Sequence, residues 1–272
     1  MKASLIVAVY KDYQAIELIL SALCNQSTKD FEVIIAEDND SSEMKAIVER
    51  YSNQLEIKHH FQDDDGIRKS IAQNSAASLA EGDIVIFIDG DCVPYPNFIE
   101  NHLKLSQKGQ VLSGKRLNLG PGFSRKIRDA EMTSDTLASR FLLLLPAIAR
   151  DCQEGHVEAG LNVSYDWFKK ILPLKDTSLL GCNFSCYTED FKAINGFDES
   201  YRDTAIADDT DIEWRLRAYG LKVSSVKFYA NVIHLYHEKR SRFIPYEAEL
   251  LELMRQRKAE GKYRADKGLD SK

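Results

Sequence analysis

The sequence contains few cysteines, and they follow no pairing pattern. The five are scattered along the chain, at Cys24, Cys92, Cys152, Cys182 and Cys186. No C-x-x-C spacing occurs among them, so we expect neither a disulfide framework nor a cysteine-bound zinc ion. The chain also has fewer basic than acidic residues, and its formal net charge is -6. Nucleic acid binding depends mainly on neutralising phosphates, so no nucleic acid partner is expected.

Long apolar runs are missing as well. The longest uncharged apolar run, Phe141–Ala149, is far shorter than the roughly 20 residues of a spanning helix, and it contains Pro146. Met1 leads directly into the apolar segment Leu5–Val7, without the apolar region and cleavage site of a signal peptide. The sequence therefore predicts a cytoplasmic protein.

Two segments leave peripheral contact with the inner face of a membrane open. Phe141–Leu145 is apolar and is flanked by Arg140 and Arg150, and the basic aromatic segment Trp167–Lys170 follows it. Segments of this composition can rest on a bilayer surface without crossing it. Packing of the same side chains in the core is the alternative.

The first half of the chain alternates apolar runs with segments of helical period. This alternation is typical of βαβ units that build a mostly parallel sheet flanked by helices. Strands are predicted at Ser4–Tyr10, Phe31–Ala36, Leu55–His59 and Ile84–Ile88, with helices between them. Residues 119–178 show a looser pattern, which we interpret as a variable helical insert.

Acidic clusters follow two of these strands. Asp38 comes directly after the second strand, and Asp89-Gly90-Asp91 ends the fourth. Open α/β sheets bind ligands at the carboxyl ends of their strands. There, a D-x-D turn can hold a divalent cation that neutralises a diphosphate, although an ordinary turn is the alternative. A carboxylate at Asp38 can accept hydrogen bonds from a nucleobase or ribose.

Other polar residues have both a functional and a structural interpretation. His234 and His237 lie three residues apart, and imidazole suits Mn²⁺ better than Mg²⁺, but such a pair more often serves packing or lies at the surface. Arg68 either bridges the acidic nucleoside region or a phosphate, or is a solvated helical residue.

A third acidic cluster, Asp208–Asp211, precedes a helix that we expect to end at Gly220. Asp208 is predicted to cap this helix, with Asp211 at the capping-box position and with Ile212, Leu216 and Tyr219 on its buried face. Carboxylates at a helix start are favoured by the helix dipole alone. A functional role is the alternative, because transfer to a hydroxyl group needs a general base.

Four segments together resemble glycosyltransferase family 2, the inverting enzymes with the GT-A fold: Ser4–Tyr10, Phe31–Asp40, Gly82–Pro94 and Asn183–Gly220. The resemblance implies a Rossmann-like, mostly parallel α/β sheet and a metal-dependent enzyme. That enzyme would move a sugar from a nucleotide donor, a UDP-sugar, with Mn²⁺ or Mg²⁺ as cofactor. We expect Ala8, Tyr10, Asp38, Arg68, Asp89 and Gly90 to line the donor site together with Asp91.

The later part of the chain also resembles the catalytic region of β1,4-galactosyltransferases, from Phe191 to Arg215. This second resemblance implies that Asp209 is the catalytic base and that Asp208 binds the acceptor. It further implies that Asp91 and His237 are metal ligands. His234 falls where those enzymes have a methionine ligand, and we include it in the predicted metal site.

The sequence departs from both families in ways that concern the substrate. Arg202–Ala207 replaces the tryptophan and glycines of a mobile donor-closing loop, so galactose is not assigned as the donated sugar. Glu37 replaces the first aspartate of the usual nucleoside turn, so Asp38 takes the nucleoside assignment. We expect Asp89 to contact ribose or an outer-shell water.

We predict a single catalytic domain at residues 1–238 and a helical tail at 239–272. Within the domain, residues 1–118 would bind the nucleotide sugar and residues 179–238 would bind the acceptor. The predicted reaction transfers a hexose or N-acetylhexosamine to a glycan or a lipid-linked oligosaccharide, in the synthesis of surface polysaccharide or lipopolysaccharide. The alternatives are a sugar-phosphate nucleotidyltransferase and a catalytically silent module that binds glycans or nucleotide sugars.

Overall fold

The computed structural model describes residues 1–152, 154–163, 174–201, 204, 206–238 and 246–272, without the side chain of Asp208. Trp167–Lys170, one of the two predicted membrane-contact segments, lies outside these residues. Ten strands are β1 (Ala3–Val9), β2 (Phe31–Glu37), β3 (Ile57–Phe61), β4 (Ile84–Asp89), β5 (Cys92–Pro94), β6 (Gln110–Ser113), β7 (Arg116–Asn118), β8 (Asn183–Tyr187), β9 (Lys222–Ser225) and β10 (Val232–His234).

Seven of these strands form a central sheet in the order β3-β2-β1-β4-β8-β6-β9. Only β8 runs antiparallel to its neighbours β4 and β6, and the other pairs are parallel. A smaller sheet has the order β5-β10-β7. The predicted fold class, a mostly parallel α/β sheet flanked by helices, is confirmed. The four strands predicted in the first half are present, each shifted by at most two residues at either end.

The middle strands β1, β2 and β4 of the central sheet are buried on both faces, which explains why they consist largely of apolar residues. In β4, Ile84, Ile86 and Ile88 join one core, while Val85 and Phe87 join the core on the opposite face. All five side chains have no exposed surface. Alternating burial on two faces fixes the register of the strand, since a slip of one residue would exchange the two sets.

Nine helices in the described part of the chain cover these faces. They are α1 (Tyr13–Cys24), α2 (Ser42–Tyr51), α3 (Lys69–Ser78), α4 (Phe98–Leu105), α5 (Pro121–Arg128), α6 (Ser134–Asp151), α7 (Thr188–Ala193), α8 (Ile212–Tyr219) and α9 (Glu247–Ala259). The predicted insert therefore contains α5 and α6. No helix within the described residues is both long enough and apolar enough to span a bilayer.

The predicted capping box before α8 is wrong. A single π-helical turn, Ala207–Asp211, leads into α8, and no side-chain hydrogen bond caps either segment. Asp211 is fully buried and accepts hydrogen bonds from other side chains, so its carboxylate does not return to the backbone. Tyr219, predicted on the buried face, is 38% exposed, whereas Gly220 ends α8 with a positive φ of 111° as predicted.

The end of the predicted helical tail is held against the rest of the molecule. Ala265 and Leu269 are buried. Their backbone N–H groups donate to the carbonyl oxygens of Ile194 and Asn195, at 3.1 and 3.0 Å. Two buried apolar side chains, together with these backbone hydrogen bonds, attach a segment that is otherwise charged.

Candidate active site

The carboxyl ends of β1, β2 and β4 meet at one edge of the central sheet. Ala8 of β1 pairs with Ala36 on one side and with Asp89 on the other. Gly90 follows, and a Cβ atom at this position would lie 2.8 Å from the carbonyl oxygen of Ala8. The close approach of the two backbones therefore requires glycine between the two aspartates.

The carboxylate of Asp38 organises the loop that follows β3. It is 4% exposed and accepts a hydrogen bond of 2.6 Å from the side chain of Gln62 and one of 2.7 Å from the backbone N–H of Arg68. The guanidinium group of Arg68 is turned away, towards the carbonyl oxygen of Asp63. The structure thus brings Arg68 to the predicted nucleoside residue through its backbone, while its side chain binds within its own loop.

Tyr10 lies at the opposite side of this loop. Its ring is 40% exposed, and its hydroxyl group lies 3.5 Å from the carboxylate of Asp64. Lys11 forms an ion pair with the same carboxylate and places its ammonium group 4.8 Å from the centre of the Tyr10 ring. Tyr10 therefore presents an aromatic face at the edge of the sheet, next to Ala8.

Asp91, His234 and His237 come together after β4 and β10. The Nε2 atoms of His234 and His237 lie 3.5 and 3.4 Å from Oδ2 of Asp91. One potential ligand atom from each residue lies within 4.8 Å of the other two. Two imidazoles and a carboxylate form a donor set suited to Mn²⁺ or a similar transition ion. These three side chains fit a single divalent ion.

The second sheet explains why residues so distant in sequence meet. Strand β10 runs antiparallel to β5, with His234 opposite Cys92, and the backbone N–H of Leu235 donates to the carbonyl oxygen of Asp91 at 2.9 Å. His237 then lies beyond the strand end, half exposed, while His234 is mostly buried. Burial lowers the pKa of His234, and the nearby Arg116 adds to this effect against the carboxylate of Asp91. A lowered pKa favours the neutral imidazole, the form that binds metals.

Two cations near Asp89 were missed by the sequence reasoning. The ammonium group of Lys69 lies 2.6 Å from Oδ1 of Asp89. Arg116 lies in β7, the neighbour of β10, and its guanidinium group contacts the thiol of Cys182 at 3.7 Å. Lys69 directly follows Arg68 at the start of α3, where its sequence context resembles that of any exposed lysine. Arg116 follows β6 in sequence. It comes near the histidines because β7 pairs with β10 in the second sheet.

Asp209 is tied to the same edge of the sheet. Its carboxylate accepts a hydrogen bond from the backbone N–H of Gly181, two residues before β8 begins. Strand β8 starts beside the end of β4, because Asn183 pairs with Ile88. Asp209 therefore lies on the side of the sheet where Asp89 and Asp91 emerge. The backbone of Asp208 belongs to the same π-helical turn, and its side chain is outside the described part.

A buried polar network supports the turn that contains Asp209. Asp211 has no exposed surface and accepts hydrogen bonds from the hydroxyl of Tyr201 and the indole of Trp214, both at 2.9 Å, and from Arg215 at 2.5 Å. Burial raises the pKa of Asp211, although Arg215 and Tyr201 act in the opposite direction. Three donors fix one carboxylate, so the turn is held in one conformation.

Sequence models of two known families match this chain. The model described as glycosyl transferase family 2 matches residues 4–151, more than half of the chain. The model described as the N-terminal domain of galactosyltransferase matches residues 166–238. The first match includes β1 to β4 and the D-x-D turn, and the second includes the turn of Asp209 and both histidines.

Individual relatives agree with these matches. The validoxylamine A glucosyltransferase of Streptomyces hygroscopicus subsp. jinggangensis is 24% identical over 225 residues, covering 81% of this chain and 52% of that protein. The chondroitin synthase of Pasteurella multocida is 26% identical over 231 residues, covering 80% and 23% respectively. The chain thus spans about half the length, or less, of these relatives.

Among solved structures, S. aureus TarS 1-349 in complex with UDP-GlcNAc shares this fold. The TM-score is 0.63 at 18% sequence identity, and the alignment covers 100% of this chain and 69% of TarS 1-349. At this identity the similarity concerns the fold alone.

Proposed function

The chain belongs to glycosyl transferase family 2, and on this basis we propose that it is a metal-dependent, inverting glycosyltransferase. Its donor would be a UDP-sugar that carries a hexose or an N-acetylhexosamine. Its acceptor would be a hydroxyl group of a glycan or of a lipid-linked glycan. The UDP-GlcNAc bound to the TarS fold supports the choice of a uridine nucleotide.

The observation that carries this proposal is the convergence of Asp91, His234 and His237 at the carboxyl edge of the sheet. Asp38 lies at the end of a neighbouring strand, and Asp209 is anchored to the segment before β8. A nucleoside site, a cation site and a carboxylate base along one edge match the three parts of a sugar-transfer reaction.

Each residue has a distinct part in the proposed mechanism. Asp38 accepts hydrogen bonds from the nucleoside, in exchange for Gln62, and Tyr10 offers its ring to the base. Asp91, His234 and His237 would hold Mn²⁺ or Mg²⁺, which supplies positive charge for the diphosphate leaving group. Lys69 lies close enough to Asp89 to add a second positive charge there.

Asp209 acts on the acceptor. Its carboxylate takes the proton from the attacking hydroxyl group, and the oxygen forms a bond to the anomeric carbon as the bond to the nucleoside diphosphate breaks. Attack from the face opposite the leaving group inverts the anomeric configuration. Asp208 is assigned to acceptor binding, as the resemblance to galactosyltransferases implies.

The direct test is a panel of nucleotide sugars assayed for release of UDP or GDP with Mn²⁺. We expect release from at least one UDP-sugar, even slowly to water, and loss of release when EDTA removes the metal. Release that persists in EDTA would refute the metal site. Binding of UDP-sugars without any turnover, with a range of glycan acceptors, would instead support the silent binding module.

A sugar-phosphate nucleotidyltransferase is the alternative enzyme. Such enzymes usually have a Gly-rich basic loop after the first strand, where this chain has Tyr10-Lys11-Asp12. Asp12 also caps α1 by accepting from the backbone N–H of Ala15, so this turn carries an acid instead of a phosphate-binding glycine loop. Formation of pyrophosphate from a nucleoside triphosphate and a sugar phosphate would establish this alternative.

We further propose that the reaction belongs to the synthesis of a surface polysaccharide or lipopolysaccharide on the cytoplasmic side of the membrane. The chondroitin synthase relative, which makes a polysaccharide according to its name, supports the first part of this proposal. Contact between the enzyme and the membrane would be made by the exposed face of α6.

A further inference from the structure

Helix α6 exposes an apolar face that nothing in the described structure covers. Leu142 is 71% exposed and Leu143 is 79% exposed, the highest values for any large hydrophobic side chain in the described residues. Pro146 and Ala147, one turn further along the helix, are exposed as well. Adjacent exposed apolar side chains of this size indicate a contact beyond the described residues.

The exposed leucines do not result from a loosely attached helix. On its other face, α6 buries Leu137, Phe141 and Ile148 in the main core. At its end, the carboxylate of Asp151 accepts hydrogen bonds of 2.9 Å from the backbone N–H groups of Gly122 and Phe123 at the start of α5. The two helices therefore form a fixed pair that presents Leu142 and Leu143 outward. Packing in the core, the alternative that the sequence left open, is therefore found for Phe141, Leu144 and Leu145 but not for Leu142 and Leu143.

The exposed charges along the apolar part of α6 are basic, although the whole protein is acidic. Residues 136–150 contain no acidic side chain, in a chain with 42 acidic residues, and the nearest exposed acid on the helix is Asp135 in its first turn. Arg140 and Arg150, before and after the leucines, are both exposed. An apolar strip bordered by cations complements the surface of a bilayer with anionic lipids, where leucines enter the headgroup boundary and arginines contact phosphates.

The helix pair also borders the candidate active site. Ser124 of α5 accepts a hydrogen bond of 2.7 Å from the backbone N–H of Tyr236, which lies between the two histidines. Arg128 forms an ion pair of 2.7 Å with Asp12, directly after β1. A surface that receives α6 would therefore lie beside the opening of the site.

We propose that α6 rests flat on an anionic bilayer, with Leu142 and Leu143 inserted at headgroup level, and that the acceptor reaches the site from this membrane. The acceptor would then be a glycan linked to a lipid. The inference that the acceptor is linked to a lipid rests on the proposed function. The docking of α6 on a bilayer does not depend on that function.

The test is sedimentation of the purified protein with vesicles of phosphatidylcholine alone or mixed with phosphatidylglycerol. We expect sedimentation with the anionic vesicles only. The double substitution Leu142→Ser/Leu143→Ser should reduce the bound fraction by about tenfold or more, since two apolar side chains no longer enter the interface. Leu79→Ser is the matched control, because Leu79 is 41% exposed at the end of α3 and should leave binding unchanged.

Charge is tested in the same assay. Arg140→Glu/Arg150→Glu should weaken binding to anionic vesicles, whereas Arg255→Glu, exposed on α9, should not. Equal sedimentation of the wild type and the leucine variant would overturn the proposal. A dimer of the wild type that the leucine variant dissociates, without vesicle binding, would overturn it in favour of a second copy of this chain.

Two further measurements keep this test separate from the enzymatic one. The leucine variant should keep its thermal unfolding midpoint and its release of UDP in the absence of acceptor, because neither side chain lies in the site. If the protein binds vesicles but turns over no nucleotide sugar, the docking of α6 is supported and the proposed function is rejected. If it turns over a nucleotide sugar but binds no vesicles, the proposed function is supported and the docking is rejected.

Discussion

At the scale of single residues, Asp209 carries the least replaceable part of the proposed chemistry. Its carboxylate is oriented by the backbone N–H of Gly181, and its turn is fixed by the network around Asp211. Neither contact depends on the metal ligands. A base that is positioned separately from the donor site can be removed without disturbing donor binding.

We therefore predict that Asp209→Asn lowers sugar transfer by roughly 100-fold or more while UDP binds with unchanged affinity. The amide keeps the shape of the side chain but does not accept a proton at neutral pH. Initial rates of transfer and isothermal titration with UDP give the two quantities. Near-normal turnover of this variant would remove Asp209 from the mechanism.

The sequence allowed some of these residues to be found and concealed others. Asp91 was found because a D-x-D turn ends a recognisable buried strand, and Asp38 because it ends another. Arg116 was not found, since its position depends on the pairing of β7 with β10, which are separated by more than a hundred residues. Pairing over such distances leaves no periodic trace in a single sequence.

At the scale of elements, helix α9 is packed against the predicted acceptor half. Leu250, Leu251 and Met254 pack against Tyr201, Ile206 and Ala207, the segment that leads into the turn of Asp209. Arg257 forms an ion pair with the fully buried Asp198 and hydrogen bonds to Ser200. The sequence of α9 does not reveal these contacts, because the helix is mostly polar and its few apolar side chains are only partly buried.

The ion pair of Arg257 provides a stability test with a matched control. Arg257→Leu leaves the Asp198 carboxylate buried without its cation, so the free energy of unfolding should fall by about 3 kcal/mol. Arg255→Leu removes an exposed pair with Glu252 on the same helix and should cost at most about 1 kcal/mol. Urea unfolding of both variants measures the difference. Equal losses would mean that α9 is only weakly attached to the acceptor half.

Helix α8 shows why an element can be predicted correctly for an incorrect reason. The order of acidic residues in Asp208–Asp211 fits a capping box, and a helix does follow. The carboxylate of Asp211 is nevertheless taken by Tyr201, Trp214 and Arg215, two of which come from the helix itself. Local patterns do not reveal that competition, because it is decided by burial.

At the scale of the whole molecule, the two regions matched by the two family models form one sheet. Strand β8 from the later region lies between β4 and β6 from the earlier one. Strand β10 likewise lies between β5 and β7. Neither region completes a sheet without the other, which supports the predicted single catalytic domain and explains how His234 and His237 reach Asp91.

The proposed cation site is formed by this interleaving. His237 is half exposed and would supply one of the three proposed ligands, so His237→Ala should raise the Mn²⁺ concentration needed for half-maximal activity by about tenfold or more. A titration of activity with Mn²⁺ measures this requirement. An unchanged requirement would leave Asp91 and His234 as the only candidates for ligands among the three.

The most direct test is calorimetric titration of the wild-type protein with UDP, once with Mn²⁺ and once with EDTA. If Asp91, His234 and His237 hold a cation for the diphosphate, UDP should bind at least about tenfold more tightly with Mn²⁺. In Asp91→Asn this difference should largely disappear. Equal affinity of the wild type for UDP in Mn²⁺ and in EDTA would mean that these three side chains hold no cation for the diphosphate.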